Sequence, residues 1–209
     1  MEEKVAKERI LEAAVRLFSL KGYSATGLRE IVREAGVSVA MVNYHFGSKQ
    51  ALLKEIVRQF FDMMTEKAEE ILGTDDLPEL KLRRWIRAVI GEFREHREMV
   101  RTTITELPHD APEIVEFKAE ALSRLVGIYL TKLLPTFPES VRNRIRPEIA
   151  GPSMLGAIAF HFLMRPVVER VFSVTFDDKF YEGYADELAD LILYGLFRTQ
   201  EPPAKRKEG

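Results

Sequence analysis

The sequence contains no cysteine among its 209 residues. That absence excludes disulfide bonds, thiolate nucleophiles and cysteine-ligated metals, and it fits a reducing compartment. Histidine is also scarce, with four copies scattered along the chain. No nucleophile elbow, phosphate-binding loop, dinucleotide-binding glycine motif or paired-carboxylate site is recognisable. The sequence therefore predicts a protein that is not an enzyme and that has no cofactor and no metal site.

A long apolar run is missing as well. The longest uncharged run, Ile149 to Met164, contains Gly, Pro, Ser and His and is shorter than the ~20 residues that a membrane span needs. The N-terminus is rich in charge and lacks the apolar core of a secretory signal. These features predict a soluble, cytoplasmic protein with no membrane partner.

Charge of one sign does not dominate the chain, whose net charge is −2. Residues 1–52 hold eight Lys or Arg against six Asp or Glu, a net of +2, so the remainder has −4. This asymmetry is too small to identify a nucleic-acid partner by itself.

Apolar residues at helical spacing occur along nearly the whole chain. Ile10, Ala14, Leu17 and Phe18 form one such stripe, which ends just before Gly22. Proline and glycine clusters separate later helices, and we expect a break near residues 147–152 within a helix over about 140–172. No alternating run bounded by turn signals predicts a strand. The chain is predicted to be all-α, and 46% hydrophobic residues suffice for a sizeable core.

The segment "GVSVAMVNYHFGSK", residues 36–49, predicts the second half of a helix-turn-helix. Gly36 suits the positive φ of the turn, and Ser38 is a good N-cap for the helix that follows. Val42 and Phe46, four residues apart, would anchor that helix to its support. The opposite side presents a methionine, a tyrosine and a histidine, which suggests contact with DNA. The alternative is an ordinary helix–helix turn with a solvated face.

Residues 13–53, "AAVRLFSLKGYSATGLREIVREAGVSVAMVNYHFGSKQALL", resemble the TetR family of transcriptional regulators. The Gly-Tyr after the first helix, Ala-Thr, Arg-Glu-Ile, Ala-Gly-Val-Ser, Tyr-His-Phe and Ser-Lys match the family in order and spacing. The resemblance implies an N-terminal three-helix DNA-binding head with a helix-turn-helix over residues 1–52. A larger helical ligand-binding and dimerisation domain over 53–200 would follow, and the tail, 201–209, is expected to be disordered.

The resemblance also implies a set of DNA contacts. Thr26 and Arg29 would reach phosphate, His45 and Lys49 would contact phosphate, and Asn43, where tyrosine is commoner, would read adenine. Two departures weaken the pattern, since Gly27 replaces a capping hydroxyl and Met41 replaces a hydroxyl that binds phosphate. The predicted DNA-binding residues are Thr26, Arg29, Ser38, Ala40, Met41, Asn43, Tyr44, His45 and Lys49.

Large apolar and aromatic residues after position 53 are compatible with an effector pocket or with plain core packing. The predicted ligand-binding residues are Trp85, Phe93, Thr103, Phe117, Tyr129 and His161. A hydrogen-bonded core position is the alternative for His161. Glu92 and His96, four residues apart, could share a metal, but an ion pair is favoured because no third ligand is evident.

The last two helices are predicted to form the dimer surface. Small residues at 151, 153, 156, 157 and 159 would allow close helix approach, and Leu188, Leu191, Ile192, Leu196 and Phe197 repeat at helical spacing. The sequence thus predicts a homodimeric, ligand-responsive repressor of a double-stranded DNA operator, released by a small apolar or amphipathic effector. An activator, an effector-independent regulator and a helical protein-interaction module are the alternatives.

Overall fold

The computed structural model describes residues 2–106 and 112–194. Within them the regular secondary structure is helical and no strand occurs, as expected. A π-helical turn, Tyr129–Leu133, and a 3₁₀ turn, Leu134–Thr136, continue the seventh helix. The α-helices are α1 Glu2–Lys21, α2 Leu28–Ala35, α3 Val39–Phe46, α4 Lys49–Leu72, α5 Pro78–Glu95, α6 Arg97–Thr105, α7 Pro112–Ile128, α8 Glu139–Arg142, α9 Pro147–Phe172 and α10 Asp178–Tyr194.

The chain divides into two compact units, each built from two segments. Among the described residues, those within 1–70 and 92–131 form the first unit, and those within 71–91 and 132–209 form the second. The linear division at residue 52 follows the DNA-binding motif rather than these units, and it stays a prediction. The tail over 201–209 lies outside the described residues. None of the helices in the described ranges has the length and apolar character needed to cross a membrane.

The core of the first unit forms around α1, which packs against α2, α3 and α6. Burial of one large apolar side chain contributes about 1.5–3 kcal/mol, so this cluster stabilises the first unit. The buried residues of the cluster include Ile10, Ala14, Leu17, Phe18, Ile31, Val32, Ala35, Val42, Leu52, Leu53 and Ile56.

The second unit contains a buried lysine, Lys81. Its ammonium donates to the carbonyl of Leu72, which ends α4, at 2.9 Å and lies 3.4 Å from the carbonyl of Lys132. The terminal carbonyls of a helix have no partner within the helix and attract a cation. Lys81 therefore satisfies polar backbone groups that the surrounding apolar residues cannot.

The break expected near residues 147–152 occurs earlier, between Arg142 and Pro147. Pro147 occupies the first turn of α9, where a missing N–H costs nothing. Pro152 lies inside the same helix, which continues through it with one backbone hydrogen bond fewer. The observed break lies just before the expected range, because Pro147 fits the first turn of α9 and begins that helix instead of interrupting it.

Candidate nucleic-acid interface

The turn between α2 and α3 has the geometry that the sequence predicts. Gly36 has φ 64° and ψ 40°, the left-handed conformation that favours glycine. The N–H of Val37 donates to the carbonyl of Val32 at 3.0 Å, which closes α2. The Ser38 hydroxyl accepts from the N–H of Met41 at 3.3 Å and caps α3. These local bonds fix the direction in which α3 leaves the turn.

The inner side of α3 is held by apolar contacts. Val42 is fully buried in the head's core, as predicted. Phe46 is half-buried, packs against that core and has the ammonium of Lys7 5.9 Å from its ring centroid. Met41, predicted to face DNA, is also half-buried and packs against the same core. Met41 therefore helps to hold α3 against the core.

The outer side of α3 is formed by Ala40, Asn43 and Tyr44, all of which are exposed. Tyr44 is the most prominent, with 75% of its surface accessible. Val39, which the sequence did not single out, is exposed beside them. We call Ala40, Asn43 and Tyr44 the recognition face. An amide and a phenol on a helix without acidic residues suit contact with bases and phosphates.

Thr26 lies inside the head, unlike the surface position expected for a phosphate contact. Its side chain is 1% exposed, and its hydroxyl donates to the carbonyl of Gly22 at 2.8 Å. The carbonyl of Leu17 is 3.3 Å from the same oxygen. This hydroxyl ties the end of α1 to the start of α2, while Arg29, in the first turn of α2, is exposed.

Lys49 is occupied by contacts within the head. Its ammonium donates to the carbonyls of Tyr23 and Thr26, both at 2.9 Å, and lies 4.2 Å from the centroid of the Tyr23 ring. Two carbonyls and an aromatic face use most of the capacity of one ammonium group. Lys49 joins the start of α4 to the loop between α1 and α2. These contacts help to position the helix-turn-helix.

His45 is half-buried, and its Nε2 atom is enclosed without a hydrogen-bond partner among the described residues. Its ring packs edge-on against that of Tyr44, with centroids 5.1 Å apart. A phosphate contact by His45 would therefore use the other ring nitrogen. The role of His45 stays a prediction.

Acidic side chains on α2 form ion pairs with basic side chains on α1. Glu30 pairs with Lys21, and Glu34 pairs with Arg16. The hydrogen bond from Lys21 lowers the pKa of Glu30. Pairing reduces the repulsion that these carboxylates would exert on a phosphate backbone.

A further link to the head comes from α6, and sequence reasoning missed it. The N–H of Tyr23, in the loop after α1, donates to the Glu106 carboxylate at 2.5 Å. The same oxygen approaches Gly22, whose φ of 86° requires glycine. Glu106 lies 83 residues away in sequence, so local periodicity carries no signal of it.

The model of bacterial regulatory proteins of the tetR family matches residues 10–56, which span this whole arrangement. The HTH-type transcriptional regulator LmrA of Bacillus subtilis is 32% identical over 158 residues, covering 73% of this chain and 84% of LmrA. The chain belongs to the TetR family. It is therefore a DNA-binding transcriptional regulator with a helix-turn-helix. The uncharacterised regulator YerO, also of Bacillus subtilis, is 28% identical over the full chain and 71% of its own length.

A solved structure of the same architecture is that of the regulator FadR from Bacillus subtilis in complex with stearoyl-CoA. It is similar to this chain with a TM-score of 0.72 over 90% of this chain and 98% of FadR. The sequence identity is 18%, so the likeness concerns the fold.

The predicted effector-binding residues of this TetR-family protein are distributed over both units. Phe93, Thr103, Phe117 and Tyr129 belong to the first unit, and Trp85 and His161 belong to the second. Phe93 is buried with its ring 5.9 Å from that of Phe60, and Phe117 packs against the core of the head. Trp85 is fully buried, and Tyr129 is half-buried in the π-helical turn.

Two threonines of α6 have buried hydroxyls without a partner among the described residues. They are Thr102 and Thr103, of which only Thr103 was predicted. The neighbouring Thr105, by contrast, donates to the carbonyl of Arg101 at 2.8 Å. Buried hydroxyls are usually hydrogen-bonded to protein or water, so these two could accept a polar group of a bound molecule.

His161 lies in an aromatic cluster of the second unit. Its Nε2 and the Tyr181 hydroxyl are 3.1 Å apart, and its ring stacks on Tyr184 with centroids 4.3 Å apart. Burial, with the nearby Arg165, lowers the pKa of His161. Burial also raises the pKa of Tyr184 to about 12. His161 thus has the hydrogen-bonded position that was its alternative, and its contact with an effector stays a prediction.

Proposed function

We propose that this regulator is a homodimeric repressor that binds a pseudo-palindromic operator and is released by an amphipathic small molecule. The observation that carries the DNA-binding part is the recognition face, held outward on a helix whose other side is fixed by Val42. Asn43 would pair with adenine, and Tyr44 would contact backbone or base. Arg29 and Ser38, both exposed, would add phosphate contacts.

Dimerisation is supported by apolar residues on the outside of α9. Phe160, Leu163, Val167 and Val171 recur at helical spacing and are exposed in the single chain. We call these four residues the apolar row. Leu191 and Ile192 of α10 are exposed as well, whereas Leu196 and Phe197 lie outside the described residues. Apolar surface of this extent is normally covered by a partner, and a second copy would provide the two-fold symmetry that a palindromic operator requires.

An amphipathic effector is supported by the buried hydroxyls of Thr102 and Thr103. Apolar side chains with a few unsatisfied polar groups suit a ligand that has a long apolar part and a polar head. FadR of the same fold holds stearoyl-CoA, which makes a long-chain acyl thioester the first effector class to test. Trp85, Phe93, Phe117, Tyr129 and His161 remain proposed contacts.

The effector would act by shifting a population. A ligand that binds both conformers equally shifts nothing, so the effector must prefer the conformer whose two heads are wrongly spaced for DNA. Within the first unit, Lys49 ties the start of α4 to the loop after α1, and Glu106 ties the end of α6 to the same loop. Both bonds would transmit a movement of α4 or α6 to the head.

The test is footprinting on an operator selected from random duplex DNA by the untagged full-length chain. Protection of two half-sites that disappears on addition of stearoyl-CoA, but not of free CoA, is the expected result. Protection that persists with acyl-CoAs of all chain lengths and with a cell extract would contradict effector release. Protection of a single asymmetric site would contradict the dimer.

A further inference from the structure

The junction between α5 and α6 places three metal-ligating side chains together. Glu92, Glu95 and His96 occupy positions i, i+3 and i+4, which lie on one side of a helix. Each offers one ligand atom, and these atoms all lie within 4.8 Å of one another. The sequence pattern indicates a pair, Glu92 and His96, without a third ligand. Glu95 supplies it.

The separation between the ligand atoms of Glu92 and His96 fits a bound ion. The Nε2 atom of His96 is 3.4 Å from Oε2 of Glu92. Two ligands at about 2.1 Å from a transition metal are separated by about 3.0–3.4 Å in octahedral or tetrahedral geometry. A rotamer adjustment of Glu95 would complete the three-ligand face without movement of the helix backbone.

The ammonium beside the Glu92 carboxylate is farther away than in a charge-assisted hydrogen bond. Its side chain is 12% exposed, and its cationic neighbour, the Lys67 ammonium, is 3.5 Å away. Charge-assisted hydrogen bonds are shorter, at about 2.7–2.9 Å. Both Glu92 and Glu95 also lie at the C-terminal end of α5, where the helix dipole disfavours negative charge and favours a cation.

A cleft in the first unit gives access to this group. It has a volume of ≈ 570 Å³ and is lined by Glu95 and His96 on one side and by residues of α1, Glu8 and Glu12 among them, on the other. The cleft has room for the water molecules that would fill the remaining coordination positions of an ion. Glu95 and His96 are therefore reachable from the cleft.

We propose that Glu92, Glu95 and His96 bind one divalent transition-metal ion, such as Zn²⁺, Co²⁺, Ni²⁺ or Mn²⁺, with water completing the coordination. One imidazole and two carboxylates match these ions and not Mg²⁺ or Ca²⁺, which prefer oxygen ligands alone. The site joins the end of α5 to the start of α6, because His96 is the N-cap of α6. An ion that binds there only in the folded chain stabilises the folded chain, and more strongly as its affinity rises.

The test is calorimetric titration of the untagged full-length chain with Co²⁺, alongside the visible absorption of the bound ion. We expect one ion per chain, and we expect His96→Asn and Glu95→Gln to weaken binding by about 100-fold or abolish it, since each removes one of three protein ligands. Glu98→Gln is the matched control, because Glu98 lines the same cleft outside the group. It should bind Co²⁺ like the parent.

Two further results separate coordination from general attraction to an acidic cleft. Lys67→Met removes the competing ammonium and should tighten Co²⁺ binding severalfold, and Mg²⁺ should not compete with Co²⁺. Equal weakening by Glu98→Gln and Glu95→Gln, competition by Mg²⁺, or no saturable Co²⁺ binding by the folded parent would each overturn the proposal. Loss of the helical circular dichroism would identify a ligand variant that fails to fold. The gain in affinity expected for Lys67→Met is measured without those ligand variants.

Discussion

The recognition face on α3 and the apolar row on α9 are both exposed in the single chain, but their chemistry differs. The recognition face consists of Ala40, Asn43 and Tyr44, whose amide and phenol can exchange hydrogen bonds with a polar polymer. The apolar row consists of Phe160, Leu163, Val167 and Val171, which offer no hydrogen-bonding group. Exposure alone therefore does not define a surface's partner. The chemistry of the side chains that the surface presents must be considered as well.

The supports of the two helices differ as well. In the head, Thr26 and Lys49 donate to backbone carbonyls and fix the loop before α2. On α9, His161 is enclosed by aromatic rings of the second unit. Together with the bonds at Val37 and Ser38, these bonds to backbone groups fix the helix-turn-helix in one conformation, as a reader of base edges needs. Association of apolar residues tolerates more adjustment.

The largest effect is expected from a charge placed in the apolar row. Val167→Asp should abolish the dimer, because an unpaired carboxylate would be buried at the interface. Loss of simultaneous binding to two half-sites would weaken operator binding by about 100-fold or more. Sedimentation and fluorescence anisotropy measure the two effects. Val115→Asp, a similarly exposed valine of α7, is the control and should leave both unchanged.

The next effect concerns the internal support of the head. Lys49→Met keeps the length of the side chain but leaves the carbonyls of Tyr23 and Thr26 without their donor. We expect the free energy of unfolding to fall by about 2 kcal/mol, given the usual strength of hydrogen bonds to a charged group. The corresponding decrease in Tm is about 4–8 °C for a chain of this size.

An unchanged Tm for Lys49→Met, together with weaker operator binding that depends less on salt, would instead identify Lys49 as a direct phosphate contact. Calorimetry and binding at several salt concentrations distinguish the two results.

A smaller effect is expected on the recognition face itself. Tyr44→Ala should weaken operator binding about tenfold, the usual range for one direct contact, and should leave the dimer and the Tm unchanged. Leu77→Ala is the matched control, since Leu77 is also 75% exposed but lies in the second unit. Equal operator affinity of the parent and Tyr44→Ala would show that the surface in contact with DNA lies elsewhere.

The smallest effect is a pH dependence from His161. Because burial lowers its pKa below the ordinary value of 6.5, the unfolded chain takes up the proton first as the pH falls. The stability from neutral His161 is thus complete above pH 6.5 and is lost progressively below it. The charged groups near the ring are Arg165, which opposes protonation, and Glu169, which favours it.

Urea unfolding at about pH 7.5 and about pH 5.5 measures this dependence, and His161→Phe should reduce it, since phenylalanine does not titrate. The same pH dependence in the variant and the parent would assign the effect to other groups.

Much of the head could be predicted from sequence, because its signals are local. The turn at Gly36 and Ser38 is fixed by bonds between residues at most five positions apart. Helical spacing within α1 and within α3 predicts that Ile10, Ala14 and Val42 belong to the core. The hydrogen bonds of Thr26 and Lys49 to backbone carbonyls could not be predicted. A hydroxyl or an ammonium gives the same sequence pattern whether it meets a phosphate or a backbone carbonyl, and the Lys49 partners are 23 and 26 residues away.

The effector-binding prediction had less support for the same reason. Large apolar residues such as Trp85 and Phe93 have one periodicity whether they fill a core or line a pocket. The third ligand of the α5 group, Glu95, was in plain sequence view at helical spacing. Spacing alone does not show that its carboxylate and the ligand atoms of Glu92 and His96 lie within 4.8 Å of one another.

Crosslinking of operator DNA that contains 5-bromouracil to the full-length chain tests the central claim most directly. The account predicts that the crosslinked peptide contains residues 39–46, with Tyr44 as the modified residue, and that Tyr44→Ala loses the crosslink. Crosslinks confined to peptides outside residues 26–49, at the same yield in the parent and in Tyr44→Ala, would contradict it.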